Sequence, residues 1–387
     1  MKTKFRISFF ILIFLFLIQS CSKKEKEARY ELKEINGIKV VHNFRSEVFK
    51  PVKFIEDLSI GVQEGDEDYI FSDPRDIDSD LQGNIYVLDY KEVTIKKYDS
   101  RGKHIKNIGR KGQGPGEFEM PRSFIVSDDG RIYVQDILSL EIEMLSADGD
   151  YLGAVNLKDR CYEVFISPDG ELVIGGKSYV EGKDKEVEYI YQVCKYDLQQ
   201  KEFIPFYKQK QLRYDRLSSG EISLEVPLYV RWNIDSGGRI YVGTANKYEL
   251  NVFSPQCQLL FKFIKDYEPF PVEKGLRESI FERLSSSRTP LDSREYEEYL
   301  KFYPVFKSIS VDEKDRVWVE LFQPSKKDSQ IQSTNFDVFS PEGKFLFSTK
   351  IDKYVYPRLI FKNGYVYTLV RDNSGFSKAL RFKIEED

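Results

Sequence analysis

Asp89 and Asp136 each lie six residues past a turn glycine, Gly83 and Gly130, and the two glycines are 47 residues apart. A carboxylate can hold a calcium ion or a metal-bound water, but such a centre needs several oxygen ligands converging on one point. The matching positions further along are Gly176, Thr244, Leu321 and Val370, so no ring of carboxylates forms. Asp89 and Asp136 supply part of a metal site at most. They are the metal candidates of an alternative reading, a metal-dependent hydrolase or lyase with Ca²⁺ in a central channel. The other use of these side chains is structural, in capping turns or pairing with neighbouring Lys and Arg. His42 and His104 are the whole histidine complement, which leaves almost no material for a His-rich zinc centre or a Ser-His-Asp relay. Beyond Cys21 the cysteines are Cys161, Cys194 and Cys257, widely spaced and odd in number, and they build neither a zinc motif nor a disulfide framework. No catalytic constellation is visible, so the leading reading is a binding protein without a cofactor.

Binding residues are sought among loop side chains instead. Tyr90, Tyr179, Trp232, Phe322 and Arg371 are expected at the same end of their strands as the two aspartates, exposed, where a ring can stack on a sugar or a peptide side chain. With aromatics at 14% of the chain, packing between sheets competes for every one of them. The formal charge is -4, and removal of residues 1–20 with Lys2, Lys4 and Arg6 makes it -7. No basic stripe interleaved with aromatics appears, which argues against nucleic acid as a partner.

These residues hang on a repeated element. Short apolar strands follow tight turns at Gly83-Asn84-Ile85-Tyr86-Val87, Gly130-Arg131-Ile132-Tyr133-Val134, Gly170-Glu171-Leu172-Val173-Ile174, Gly238-Arg239-Ile240-Tyr241-Val242, Asp315-Arg316-Val317-Trp318-Val319 and Gly364-Tyr365-Val366-Tyr367. Asp caps the turning backbone and Gly accepts positive φ, while β-branched and aromatic residues suit pleated sheet. Six such units, none able to bury both faces alone, imply radial closure. The expected fold is all-β, a six-bladed β-propeller of four-stranded antiparallel blades over 51–387. The last copy lacks a fourth strand, and Val52 to Ile60 is expected to supply it. Leu276, Ile280, Phe281 and Leu284, then Tyr296, Tyr299, Leu300 and Tyr303, recur at helical spacing, which predicts a helical hairpin near 271–303 beside the channel mouth.

At the start, Lys2, Lys4 and Arg6 precede an apolar run from Ile7 to Ile18, the layout of an export signal, too short to span a bilayer as a helix. Ile18-Gln19-Ser20-Cys21 resembles a bacterial lipobox. The resemblance implies cleavage after residue 20, lipidation of Cys21 as the membrane anchor, and a charged flexible tether over 21–50. Lys111-Gly112-Gln113-Gly114-Pro115-Gly116-Glu117-Phe118 resembles the blade-to-blade linker of NHL-type propellers, with Phe118 plugging between blades. Together these features make the chain similar to NHL-like six-bladed propeller lipoproteins of Gram-negative envelopes. That likeness implies an outer-membrane lipoprotein, on either face, that acts as a binding or assembly module for a protein or glycan partner. It implies no reaction.

Overall fold

The computed structural model describes residues 29–45, 48–157, 163–167, 172–181, 188–197, 202–211, 230–285, 300–324, 333–372 and 374–385. β1 (Tyr30–Ile35) and β2 (Ile38–Asn43) form a hairpin, and β3 (Lys53–Ile60) follows. Six sheets come next. The first holds β4 (Pro74–Ser79), β5 (Ile85–Asp89), β6 (Thr94–Tyr98) and β7 (His104–Ile108), and the second β8 (Pro121–Val126), β9 (Ile132–Asp136), β10 (Glu141–Leu145) and β11 (Tyr151–Asn156). The third holds β12 (Glu163–Ile166), β13 (Leu172–Glu181), β14 (Glu188–Asp197) and β15 (Glu202–Gln211), and the fourth β16 (Val230–Ile234), β17 (Ile240–Thr244), β18 (Glu249–Phe253) and β19 (Leu259–Lys265). α1 (Lys274–Ser285) separates these from the fifth, β20 (Phe306–Val311), β21 (Val317–Leu321), β22 (Thr334–Phe339) and β23 (Phe345–Ile351). The sixth is β24 (Val355–Lys362), β25 (Tyr365–Arg371) and β26 (Ser377–Glu385), completed by β3.

Each sheet is an antiparallel meander, and the innermost strands meet in a circle. β4, β8 and β12 touch in turn, as do β16, β20 and β24; β13 meets β16, and β24 returns to β4. Both faces of each sheet are apolar because each faces a neighbouring sheet. Six buried clusters result, one per seam: Tyr86 and Leu88 with Phe124 and Val134, for example, between the first two blades, and Ile77 and Val87 with Tyr367 and Leu369 between the sixth and the first. Phe118 is fully buried in the first seam, and Gly109 (φ +73°) admits it, since a Cβ there would stand 2.1 Å from the ring.

The circle is fastened as the sequence predicts. β3 pairs antiparallel with β26, from Ala379 opposite Ile60 to Glu385 opposite Lys53. One expectation changes. Within 21–50, Tyr30–Asn43 is strand rather than tether: β2 lies parallel to β19, extending the fourth sheet to six strands. Asn43, fully buried, locks this addition by donating to the Ile264 and Gly343 carbonyls at 3.1 and 2.9 Å and accepting from the Phe345 amide at 2.7 Å, so it ties the fourth blade to the fifth. The chain then crosses the fifth blade, where the Lys50 amide donates to the Ser348 carbonyl (3.0 Å) and the Ser348 amide to the Val48 carbonyl (2.7 Å), before entering β3. α1 is the first half of the expected helical hairpin; Tyr296 and Tyr299 of the second half, like Cys21, lie outside the described residues.

Candidate functional site

Each inner strand opens at one end of the ring, where each second strand finishes, and that end carries the mouth. Asp89 and Asp136 end β5 and β9 there, fully buried. Asp89 accepts the amides of Ser72 (2.6 Å), Asp73 (3.1 Å), Lys91 (3.2 Å) and Glu92 (3.3 Å). Asp136 repeats the pattern with Glu119 (2.6 Å), Met120 (2.9 Å), Leu138 (2.9 Å) and Ser139 (3.3 Å). A carboxylate has about four acceptor positions, so both are saturated by the loops they organise. Their geometry is that of caps, and among the described residues no cluster of three or more His, Cys, Asp or Glu is placed to hold a metal.

Of the expected binding residues, Trp232 is not exposed. It is 2% accessible and packs edge-on against Phe165 at 4.5 Å in the seam between the third and fourth blades, because its strand position faces that neighbour. The side chain of Tyr179 lies outside the described residues. Phe322, Arg371 and Tyr90 do reach the mouth, on the fifth, sixth and first blades in succession.

There they join residues that the sequence reading passed over. Tyr303 stacks on Phe322 (5.2 Å, 20°), and Lys307 reaches over Phe322 (5.7 Å) and Tyr354 (5.0 Å). Tyr354 stacks on Tyr356 (6.3 Å, 25°), and Arg371 covers Tyr356 at 4.9 Å. Ser377 Oγ accepts from Tyr356 Oη at 2.7 Å and Arg371 Nε at 3.2 Å. Arg75 lies 3.7 Å over Tyr90, and its Nη2 donates to Asp73 at 2.7 Å. Burial raises the Tyr356 hydroxyl's pKa, Ser377 and Arg371 pull it back, and the Asp73 charge of the first blade adds to the rise. Burial and a 2.9 Å bond to Glu273 push Tyr303 up to about 12, and that bond links the arc to the start of α1. Rings and cations therefore alternate over three consecutive blades, most of them half-buried. The missed signal was positional. Arg75, Arg122 and Lys307 each follow the first residue of an inner strand, where a bulge shifts the register, and bulges re-aim side chains.

Below the mouth one side chain spans the axis. Arg358, from the sixth blade, reaches across to the Phe165 ring of the opposite third blade (4.9 Å) and stands 3.6 Å from Asp76 of the first. Burial raises the Asp76 carboxyl to about 6, against the pull of Arg358. The sign follows from linkage: an acid whose folded pKa exceeds its unfolded one favours folding at low pH, and that contribution is lost as pH rises from about 4 through 6. Asp76→Asn is therefore expected to flatten the pH dependence of the melting temperature over that window, removing a penalty of up to about 3 kcal/mol at neutral pH. Thermal melts of both proteins from pH 4 to 7 check it; parallel curves would refute it.

A closed ring of six four-stranded blades with a loop-built mouth defines the class: a six-bladed β-propeller. Residues 23–219 match the DUF5128 family, described as a 6-bladed beta-propeller, and the chain belongs to that family. No curated protein matches the sequence. Among solved structures, the chain is similar to a Bacteroides fragilis protein classed as a candidate exported protein, at 12% identity and a TM-score of 0.55, over 90% of this chain and 99% of that one. A DUF4221 family member from Bacteroides vulgatus is also similar, at 12% identity and a TM-score of 0.51, over 87% of this chain and 99% of that one. At such identity the likeness speaks for the fold.

Proposed function

We propose that this propeller is a lipid-anchored binding module of the cell envelope, held through Cys21, whose mouth arc receives a protein or glycan partner without a chemical step. The observation that carries the reading is the arc of half-exposed rings and cations over three consecutive blades, from Tyr303 to Arg371 and then the Arg75–Tyr90 pair. Ring faces suit sugar C–H surfaces and peptide side chains, and cations add orientation. The saturated carboxylates at Asp89 and Asp136 and the Arg358 side chain spanning the axis support surface capture over metal chemistry in a channel. Export is supported by the basic start, the apolar run and the lipobox-like Ile18 to Cys21.

The test presents the mature protein to a glycan array and to envelope extracts, alongside Phe322→Ala with Tyr354→Ala. Each ring contributes about 0.5–1.5 kcal/mol, so the double variant is expected to bind about 5- to 160-fold more weakly with its melting temperature nearly unchanged. Equal binding by the variant, or no ligand above background for either protein, would remove the reading. A fall in melting temperature on adding EDTA would favour the metal-dependent alternative.

A further inference from the structure

The outermost strand of the fourth sheet is self-complementary. Among the described residues β1 ends the strand order and pairs only with β2, which leaves one of its main-chain edges open there. Which groups lie on that edge is fixed by the ladder. The Phe44 amide donates to the Arg29 carbonyl at 3.0 Å, so residues 29 and 44 form a hydrogen-bonded pair. In an antiparallel ladder such pairs alternate with non-bonded ones. Residues 31, 33 and 35 are therefore bonded to β2, and Tyr30, Leu32 and Glu34 aim their N–H and C=O groups outward. Leu32 (58%) and Ile35 (50%) also expose their side chains.

We infer that two copies of this chain pair through β1, antiparallel, about a two-fold axis at Leu32. Only registers that match outward groups with outward groups are allowed. Sliding the second strand two residues one way sets Glu31 opposite Glu31, and two residues the other way sets Lys33 opposite Lys33. Between them lies one register in which Tyr30 bonds with Glu34, Leu32 with Leu32, and Glu31 faces Lys33 twice, in the close non-bonded positions. Lys33 and Glu31 are 43% and 38% accessible, within reach of a second strand. Edge charges commonly deter sheet-to-sheet pairing. Here the charge pattern deters both neighbouring registers and favours the one centred on Leu32. The strand is short, so the contact is a weak one that gains from confinement of both copies to a single surface.

The hydrogen-bonded pair at the axis places two Cα atoms about 5.5 Å apart, within disulfide range. Leu32→Cys in the full mature protein should cross-link to a dimer under mild oxidation, while Ile105→Cys, an exposed position on β7, and the unmodified protein report random and native-thiol collisions. Adding Glu31→Lys to the Leu32→Cys protein, or adding Lys33→Glu to it, should cut the cross-linking rate at least tenfold, and adding both together should restore it. Cross-linking of Leu32→Cys no faster than Ile105→Cys would overturn the inference. So would single charge changes without effect, or a double exchange that fails to rescue while the melting temperature stays at the parent value.

Discussion

A chain shortened to begin at Gly61 is expected to lose cooperative unfolding altogether. Without β3, the edge of β26 from Ala379 to Glu385 has no partner, and Ala379, Leu380 and Phe382, all nearly inaccessible in the intact ring, border water. The ion pairs go too: burial raises the Asp57 carboxyl, but Arg381 and Lys383 outweigh it and hold the group below its usual value. A domain's net stability is only about 5–15 kcal/mol, and an opened seam plus an unpaired strand exceed that. Near-ultraviolet circular dichroism and a thermal melt read the outcome. A companion chain beginning at Val48 keeps β3 and is expected to melt cooperatively. If the shorter chain melts as sharply as the longer one, the ring does not depend on its fastening.

Asp312→Ala should be the most damaging single substitution among the turn aspartates. Its Oδ1 accepts the Lys314 and Arg316 amides at 2.9 Å each, while Oδ2 takes Arg316 Nε at 2.6 Å and Trp318 Nε1 at 2.8 Å. Alanine removes the acceptor of a fully buried indole N–H and a carboxylate partner of a guanidinium in one step. Removing one member of a buried pair costs about 3–5 kcal/mol. Urea denaturation should show that loss, with Asp312→Asn intermediate because its amide oxygen can keep the two main-chain bonds. A loss below about 1 kcal/mol would mean that the turn is held by its ladder alone. Asp80 and Asp235 make the same construction with Tyr86 and Tyr241, which is how a periodic Asp six residues ahead of an aromatic serves three blades.

That construction explains why the fold was legible. Turn aspartates, glycines and paired apolar strands are local signals, and repetition multiplied them into a blade count and a closing strand. The hairpin Tyr30–Asn43 escaped because its neighbours Glu25 to Lys33 are rich in charge, whereas its burial is supplied at long range by β19 and by Asn43 reaching Gly343. The mouth was half legible for a similar reason. Phe322 and Tyr90 follow second strands and Arg371 ends one, where a periodic reading looks. Lys307, Arg75 and Tyr356 sit at bulges, and a bulge breaks the period that would have revealed them. Trp232 misled because strand alternation alone does not say whether a position faces the axis or the next blade.

The route of the first described residues has a mechanical consequence. Any tension transmitted from upstream meets β1 and β2 first, then the Asn43 lock, then the passage over Ser348, and only afterwards the strand that fastens the ring. Peeling the hairpin from β19 is thus a sacrificial yield point, at which a pull arriving from upstream is absorbed at the fourth blade's rim while the clasp of the sixth stays slack.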